Sequence, residues 1–128
     1  MVVRTALTLA ELGAAIDGCA EDSVRLRMVL DFIDGCAALD SAARSELIVD
    51  EPARFDPRWD AFLAALADHV AYENHLRQPG WAEQPERFLE AFWFPVDLPS
   101  VRPEALATAP ATFMRHGILI TPDLFDRA

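Results

Sequence analysis

Lysine is absent from this chain, and cysteine, asparagine, glycine and long uncharged runs are all scarce. Each shortage argues against a class of function. With no lysine, all eleven basic side chains are arginines, permanently charged planar forks suited to bidentate pairing with carboxylates. That bias, with a single asparagine at position 74, is the composition expected of a GC-rich bacterial genome. The two cysteines, Cys19 and Cys36, have neither CxxC spacing nor neighbouring histidines. Buried free thiols are expected, rather than a zinc or redox site. Five scattered glycines cannot form a phosphate-cradling loop. The longest uncharged run, Ala105 to Met114, falls well short of the ~20 apolar residues that a membrane helix needs. The apolar run before Glu11 is too brief for a secretory signal, so a cytoplasmic protein with no membrane attachment is expected.

What the chain does have is acid and apolar bulk. Against the eleven arginines stand 21 Asp and Glu, for a formal net charge of −10 and a pI near 4.5. Such a surface repels phosphate backbones and anionic headgroups and favours a basic partner protein, although acidity also serves solubility alone. At 128 residues and 52% hydrophobic composition, one domain is expected with a core that needs no metal or disulfide.

Helix signals dominate the first 76 residues. Thr8 to Glu11 matches a capping box, so a helix over 9–17 should bury Leu9, Leu12 and Ile16. Asp22 or Ser23 should cap a helix to about 39, with Leu26, Val29, Leu30, Ile33 and Ala37 inward and Met28 and Phe32 widening the stripe. Asp40 or Ser41 begins a third helix to about Val49. Asp56-Pro57 opens a fourth to about Leu76, with Trp59, Phe62, Leu63, Leu66 and Val70 inward. Its other face, Ala61, Ala64 and Ala65, permits close approach of a neighbour.

Past Gln78-Pro79-Gly80 the pattern changes. Residues 81–125 hold two of the three Trp, five of the eight Phe and most of the Pro. This composition describes an irregular, tightly packed lobe. A short helix is expected from Pro85 to about Phe92, stacking Phe88 and Phe92 at i,i+4, and two further short helices after Ser100 and Pro110. Ile118 to Ile120 is the best strand candidate, and a last turn should carry Leu124 and Phe125. The expected fold is mainly α: a single-domain helical bundle over 1–128. Its helical layer spans about 8–76 and its Pro/aromatic-rich lobe about 81–126, with at most one short strand pair.

Candidate chemistry is thin. His69, Glu73 and His75 suggest metal ligation, but on a helix His75 points roughly 160° away from Glu73, so no metal is expected. Arg115-His116 before Gly117 reads as cations complementing a helix C-terminus, or as an anion site. No serine elbow or activated cysteine is evident, so neither catalytic residues nor a cofactor are expected. Residues 8–38 invite comparison with a helix-turn-helix whose Arg25 and Arg27 would meet phosphates, against a connector carrying Asp17, Glu21 and Asp22. Nucleic acid is not the expected partner. Along Phe88, Phe92, Trp93 and Phe94, two consecutive rings cannot both point inward, which nominates Trp93 as a surface anchor.

Trp81, Pro85, Arg87, Phe88, Leu89, Trp93 and Phe94, followed by Ala109, Pro110, Phe113, Arg115, Gly117, Ile118, Ile120 and Leu124, form a pattern. It resembles that of a group of small proteins from GC-rich bacteria encoded beside nucleotidyltransferase-like partners. The resemblance covers little more than a third of the chain and implies an antitoxin-like role without catalytic residues. A DNA-binding arm and a toxin-wrapping tail, common in antitoxins, are not recognisable here.

Three functions follow in order. The first is a non-enzymatic acidic interaction module occluding a basic, nucleotide-handling partner through Trp93, Arg87, Arg115 and Phe94. The second is a small-molecule-binding domain or minor enzyme, its pocket between the helical layer and the lobe and lined by Trp81, Trp93 and His116. The third is a helix-turn-helix regulator.

Overall fold

The computed structural model describes residues 7–124, with the side chain of Leu124 excepted. Phe125, expected in the last turn, lies outside the described residues. Six helices run in the order α1 (Leu9–Asp17), α2 (Asp22–Ala37), α3 (Ser41–Ile48), α4 (Pro57–Glu73), α5 (Arg102–Thr108) and α6 (Ala111–Met114). Single 3₁₀ turns cover Gly80–Glu83, Pro85–Arg87 and Pro122–Leu124. The fold is mainly α.

α4 is the axis. Asp56 accepts from the amides of Arg58 and Trp59 at 2.9 and 3.2 Å, and Pro57 follows in the first turn, where its missing N–H costs nothing. Its stripe of Trp59, Phe62, Leu63, Leu66 and Val70 is buried, and so are Ala61, Ala64 and Ala65 on the other face. A helix covered on all sides is a central element, and its alanines let neighbours approach closely.

α1 begins with the expected capping box, both reciprocal bonds present, and buries Leu9, Leu12 and Ile16. A Cβ at Gly13 would lie 2.9 Å from that of Pro52, so the residue permits close approach of the 52–55 connector. α2 departs from expectation at its start. Glu21 is its N-cap without a side-chain bond, because the Asp22 carboxylate instead accepts from the Trp59 indole at 2.9 Å. Its buried stripe is Val29, Phe32 and Cys36, while Ala37 is exposed. α3 is capped by Asp40 as expected.

Neither α1 nor α2 has a basic residue in its last turn. Each is closed by an arginine from the next helix. Arg25 donates to the carbonyls of Ile16 and Cys19 at 3.0 and 2.7 Å, and Arg44 to those of Cys36 and Ala37 at 2.8 Å each. The Ile16 and Cys36 carbonyls also accept from the amides of Cys19 and Leu39, so the arginines add charged donors at the negative end of each helix dipole.

The expected helix over Pro85–Phe92 does not form. It stops after one 3₁₀ turn at Arg87, and Phe88 is already extended (φ −123°, ψ 131°). The reason is a better set of partners elsewhere. Leu89 donates to the carbonyl of His116 (3.0 Å), Trp93 donates to that of Gly117 (2.9 Å), and Leu119 donates back to Trp93 (2.9 Å). The outcome is one parallel bridge between Trp93 and Ile118, in place of the strand candidate at 118–120; no strand forms among the described residues. α5 starts after Val101 rather than Ser100, within a turn closed on the Leu98 carbonyl. Gly117 ends the α6 segment at φ +89°, and a Cβ there would meet that of Leu89 at 2.7 Å. One hydrophobic cluster runs from Leu9 to Ile120. At its centre Trp59, Phe62, Trp93 and Phe113 pack with centroids 5.1–6.3 Å apart, mostly edge to face.

Candidate functional site

The lobe is joined to α4 through a partly buried polar knot. His116 is fully buried, stacked on Phe88 at 4.2 Å and 14°. Its Nδ1 lies 2.7 Å from the Arg87 carbonyl and its Nε2 3.4 Å from the Asp68 carboxylate. Arg115 bridges Asp68 and Glu83, meeting the latter with both terminal nitrogens at 2.9 and 3.1 Å. Burial opposes ionisation of Asp68, yet the bonds from His116 and Arg115 outweigh it and hold the carboxyl below its usual range. Glu83 is lowered by the same guanidinium, and Arg115 is raised in return, first by Glu83 and then by Asp68. Arg115 therefore serves as a clamp between α4 and the lobe rather than a helix cap or an open anion site.

Arg87 is the second tie. It is 0% exposed and lies 4.9 Å over the Trp81 ring. It donates to Glu51 (2.9 Å), to the Pro52 carbonyl (2.6 Å) and to the Asp60 carbonyl (3.2 Å). Its Nε is the one fully buried side-chain nitrogen or oxygen without a hydrogen-bond partner among the described residues.

These contacts correct two of the expected interface residues. Trp93 is a core ring, edge-on to Trp59 at 5.2 Å, because the bridge to Ile118 turns it inward. Arg87 is interior as well. The exposed ring of the run is Phe92, at 63%. Phe94 is half-buried under Arg102, whose guanidinium stands 5.0 Å over it. Nor do Trp81, Trp93 and His116 form the expected pocket. Trp81 donates its indole N–H to the Ile48 carbonyl at 3.1 Å, and the three residues are buried in separate packing sites.

Open space does exist between helical layer and lobe, around different residues. His69, on α4, places Nδ1 2.9 Å from the Thr112 hydroxyl, and its Nε2 is 3.9 Å from Glu73 one turn on. Burial pushes the His69 pKa down against the pull of Glu73 and Asp68, which favours a neutral ring near pH 7. Two grooves share His69, Glu73 and Pro110 as walls. The larger, about 680 Å³, runs over Ile33, Cys36, Leu66 and Val70. The smaller, about 610 Å³, is bordered by Tyr72, Leu76, Ala111 and Arg115. Cys36 in the larger groove is a thiol whose pKa burial raises.

His75 adopts φ +53° just beyond the α4 C-terminus and does not join His69 and Glu73; no group of three metal-type ligands occurs among the described residues. Arg25, considered for phosphate contact, is engaged with helix carbonyls and lies 5.7 Å over the Trp59 ring. Sequence spacing missed both pairings of the site. Thr112 is 43 residues from His69, and Asp68 is 48 from His116, so no local pattern signals either. No protein-family model matches the chain, and neither the curated proteins nor the solved structures give a match.

Proposed function

We propose that this protein is a non-enzymatic, acidic interaction module of the cytoplasm, antitoxin-like in action, that covers the working surface of a basic, nucleotide-handling protein. The observation that carries this reading is the set of exposed side chains between Glu90 and Leu106. Phe92, Leu98 and Leu106 stand 63%, 54% and 54% exposed there, interleaved with exposed Glu90 and Glu104, while Asp97 is paired with Arg102. Apolar side chains on the surface supply grip, and carboxylates between them select a cationic counterpart and speed encounter. The net charge of −10 acts in the same direction at longer range. Phe92 takes the anchoring place first given to Trp93.

The test is co-purification from the native cell, comparing the parent chain with a Phe92→Ser/Leu98→Ser double variant. Both positions are exposed, so the variant should keep its helical circular dichroism and melting temperature. It should lose a stoichiometric basic protein that the parent retains. A variant that holds the same partner at the same ratio would remove Phe92 and Leu98 from the interface, and a parent with only acidic partners would end the reading.

A further inference from the structure

We propose that the smaller groove receives an arginine side chain from a protein segment, its guanidinium lying on the Tyr72 ring and pairing with Glu73. The inference deepens the proposed reading: it names a second contact, apart from the side chains at 90–106, and the residue type that fits it. Its basis is an open ring beside an open charge. Tyr72, near the end of α4, is 72% exposed, the most of any large apolar side chain among the described residues. Glu73 follows it in the chain with its side chain 59% exposed, and no arginine stands within ion-pair distance among the described residues. Its Oε1 lies 3.9 Å from His69, which leaves Oε2 for a ligand whichever tautomer His69 holds. Both residues form part of the wall of this groove.

A guanidinium suits this pair because it is planar and always charged. It can lie flat on a ring while its edge donates to a carboxylate alongside. An anion would be repelled: Asp68 and Glu73 on the wall, with Glu83 beyond, stand against the one guanidinium of Arg115, which is already bound to Asp68 and Glu83. The larger groove shares Glu73 but lacks Tyr72, and Arg44 on its wall opposes a second cation. The smaller groove, about 610 Å³, is large enough for more than one side chain, and Leu76, Pro110 and Ala111 offer apolar wall to a residue next to the arginine. Tyrosine and arginine are also the side chains that dominate protein interfaces, and a net charge of −10 draws a basic chain towards the site.

The test is a titration of isotope-labelled full-length protein, read by amide chemical shifts, with acetyl-leucyl-arginyl-leucinamide and its lysine and citrulline counterparts as probes. The arginine peptide should give saturable shifts around 71–76 and 111–112. The citrulline peptide, which keeps the shape without the charge, should bind about tenfold more weakly, and the lysine peptide about threefold. Tyr72→Leu should weaken the arginine peptide about threefold and Glu73→Gln about fivefold, both without a change in melting temperature because both side chains are exposed. Ala111→Trp, filling this groove from an exposed position, should abolish binding, and Ala37→Trp in the larger groove should leave it unchanged. No saturable shift, a lysine or citrulline peptide as tight as the arginine one, or indifference to Tyr72→Leu and Glu73→Gln would overturn the site. Free arginine binding as tightly as the peptide would overturn a protein segment as the occupant, and a block by Ala37→Trp alone would overturn its placement. The titration uses isolated protein, so its result is separate from whether a partner is captured through Phe92 and Leu98.

Discussion

The helical layer and the C-terminal lobe solve the same problem in opposite ways. In α1 to α4, backbone groups bond within a turn, and the starts of α1, α3 and α4 are closed by Thr8, Asp40 and Asp56. In the lobe, residues 89–93 leave their own segment and bond to 116–119. The arginines follow the same division: Arg25 and Arg44 close the helix before their own, whereas Arg87 and Arg115 reach back to α4 or the connector ahead of it. A single change to a local cap should therefore cost little stability, and cutting one distant tie of the lobe should cost more.

The sharpest way to break that contrast is Trp93→Ala. Removing a ring that touches both regions should cost about 3–5 kcal/mol. Helical circular dichroism and near-ultraviolet signals should still melt together in denaturant. If the lobe signal alone were lost, the two regions would not share the core that the Trp59–Trp93 contact implies. Next in size is Gly117→Ala, which sets a side chain at φ +89° against Leu89. A loss of about 1–3 kcal/mol is expected by equilibrium unfolding. A neutral result would mean that the 88–93 segment can shift away freely.

Arg115→Gln tests the clamp through pH. Asp68 and Glu83 titrate lower in the folded than in the unfolded state, so their contribution is complete above the ordinary carboxylate range. It is lost as pH falls from about 4. The parent should therefore lose stability over that range faster than the variant, measured as unfolding free energy at successive pH values. Parallel curves would assign the acid sensitivity to other carboxylates. The smallest expected effect is Thr8→Ala, about 1 kcal/mol from the lost cap. It should raise amide exchange in α1 and leave the lobe unchanged.

The same division decides what the sequence could reveal. Thr8, Asp40 and Pro57 announce their helices because caps and apolar spacing act over one or two turns. The α2 cap was misread because Asp22 serves Trp59, 37 residues away. The helix expected at Pro85–Phe92 had good local signals, and tertiary bonds to 116–119 overrode them. Trp93 looked like a surface anchor only as long as that helix was assumed. The lining of the grooves was not legible, since His69–Thr112 joins side chains with no sequence relation.

The bridge between Trp93 and Ile118 also has a temporal side. Synthesis runs from the N-terminus, so α1 to α4 emerge while the sides of Trp59 and Phe62 that later meet Trp93 and Phe113 are still uncovered. The amides of Leu89 and Trp93 lack their backbone partners until His116 and Gly117 have been made. A nascent chain halted at residue 110 would therefore show Trp59 and Phe62 to the cell, a sticky stage that ends only when the late segment zips into place.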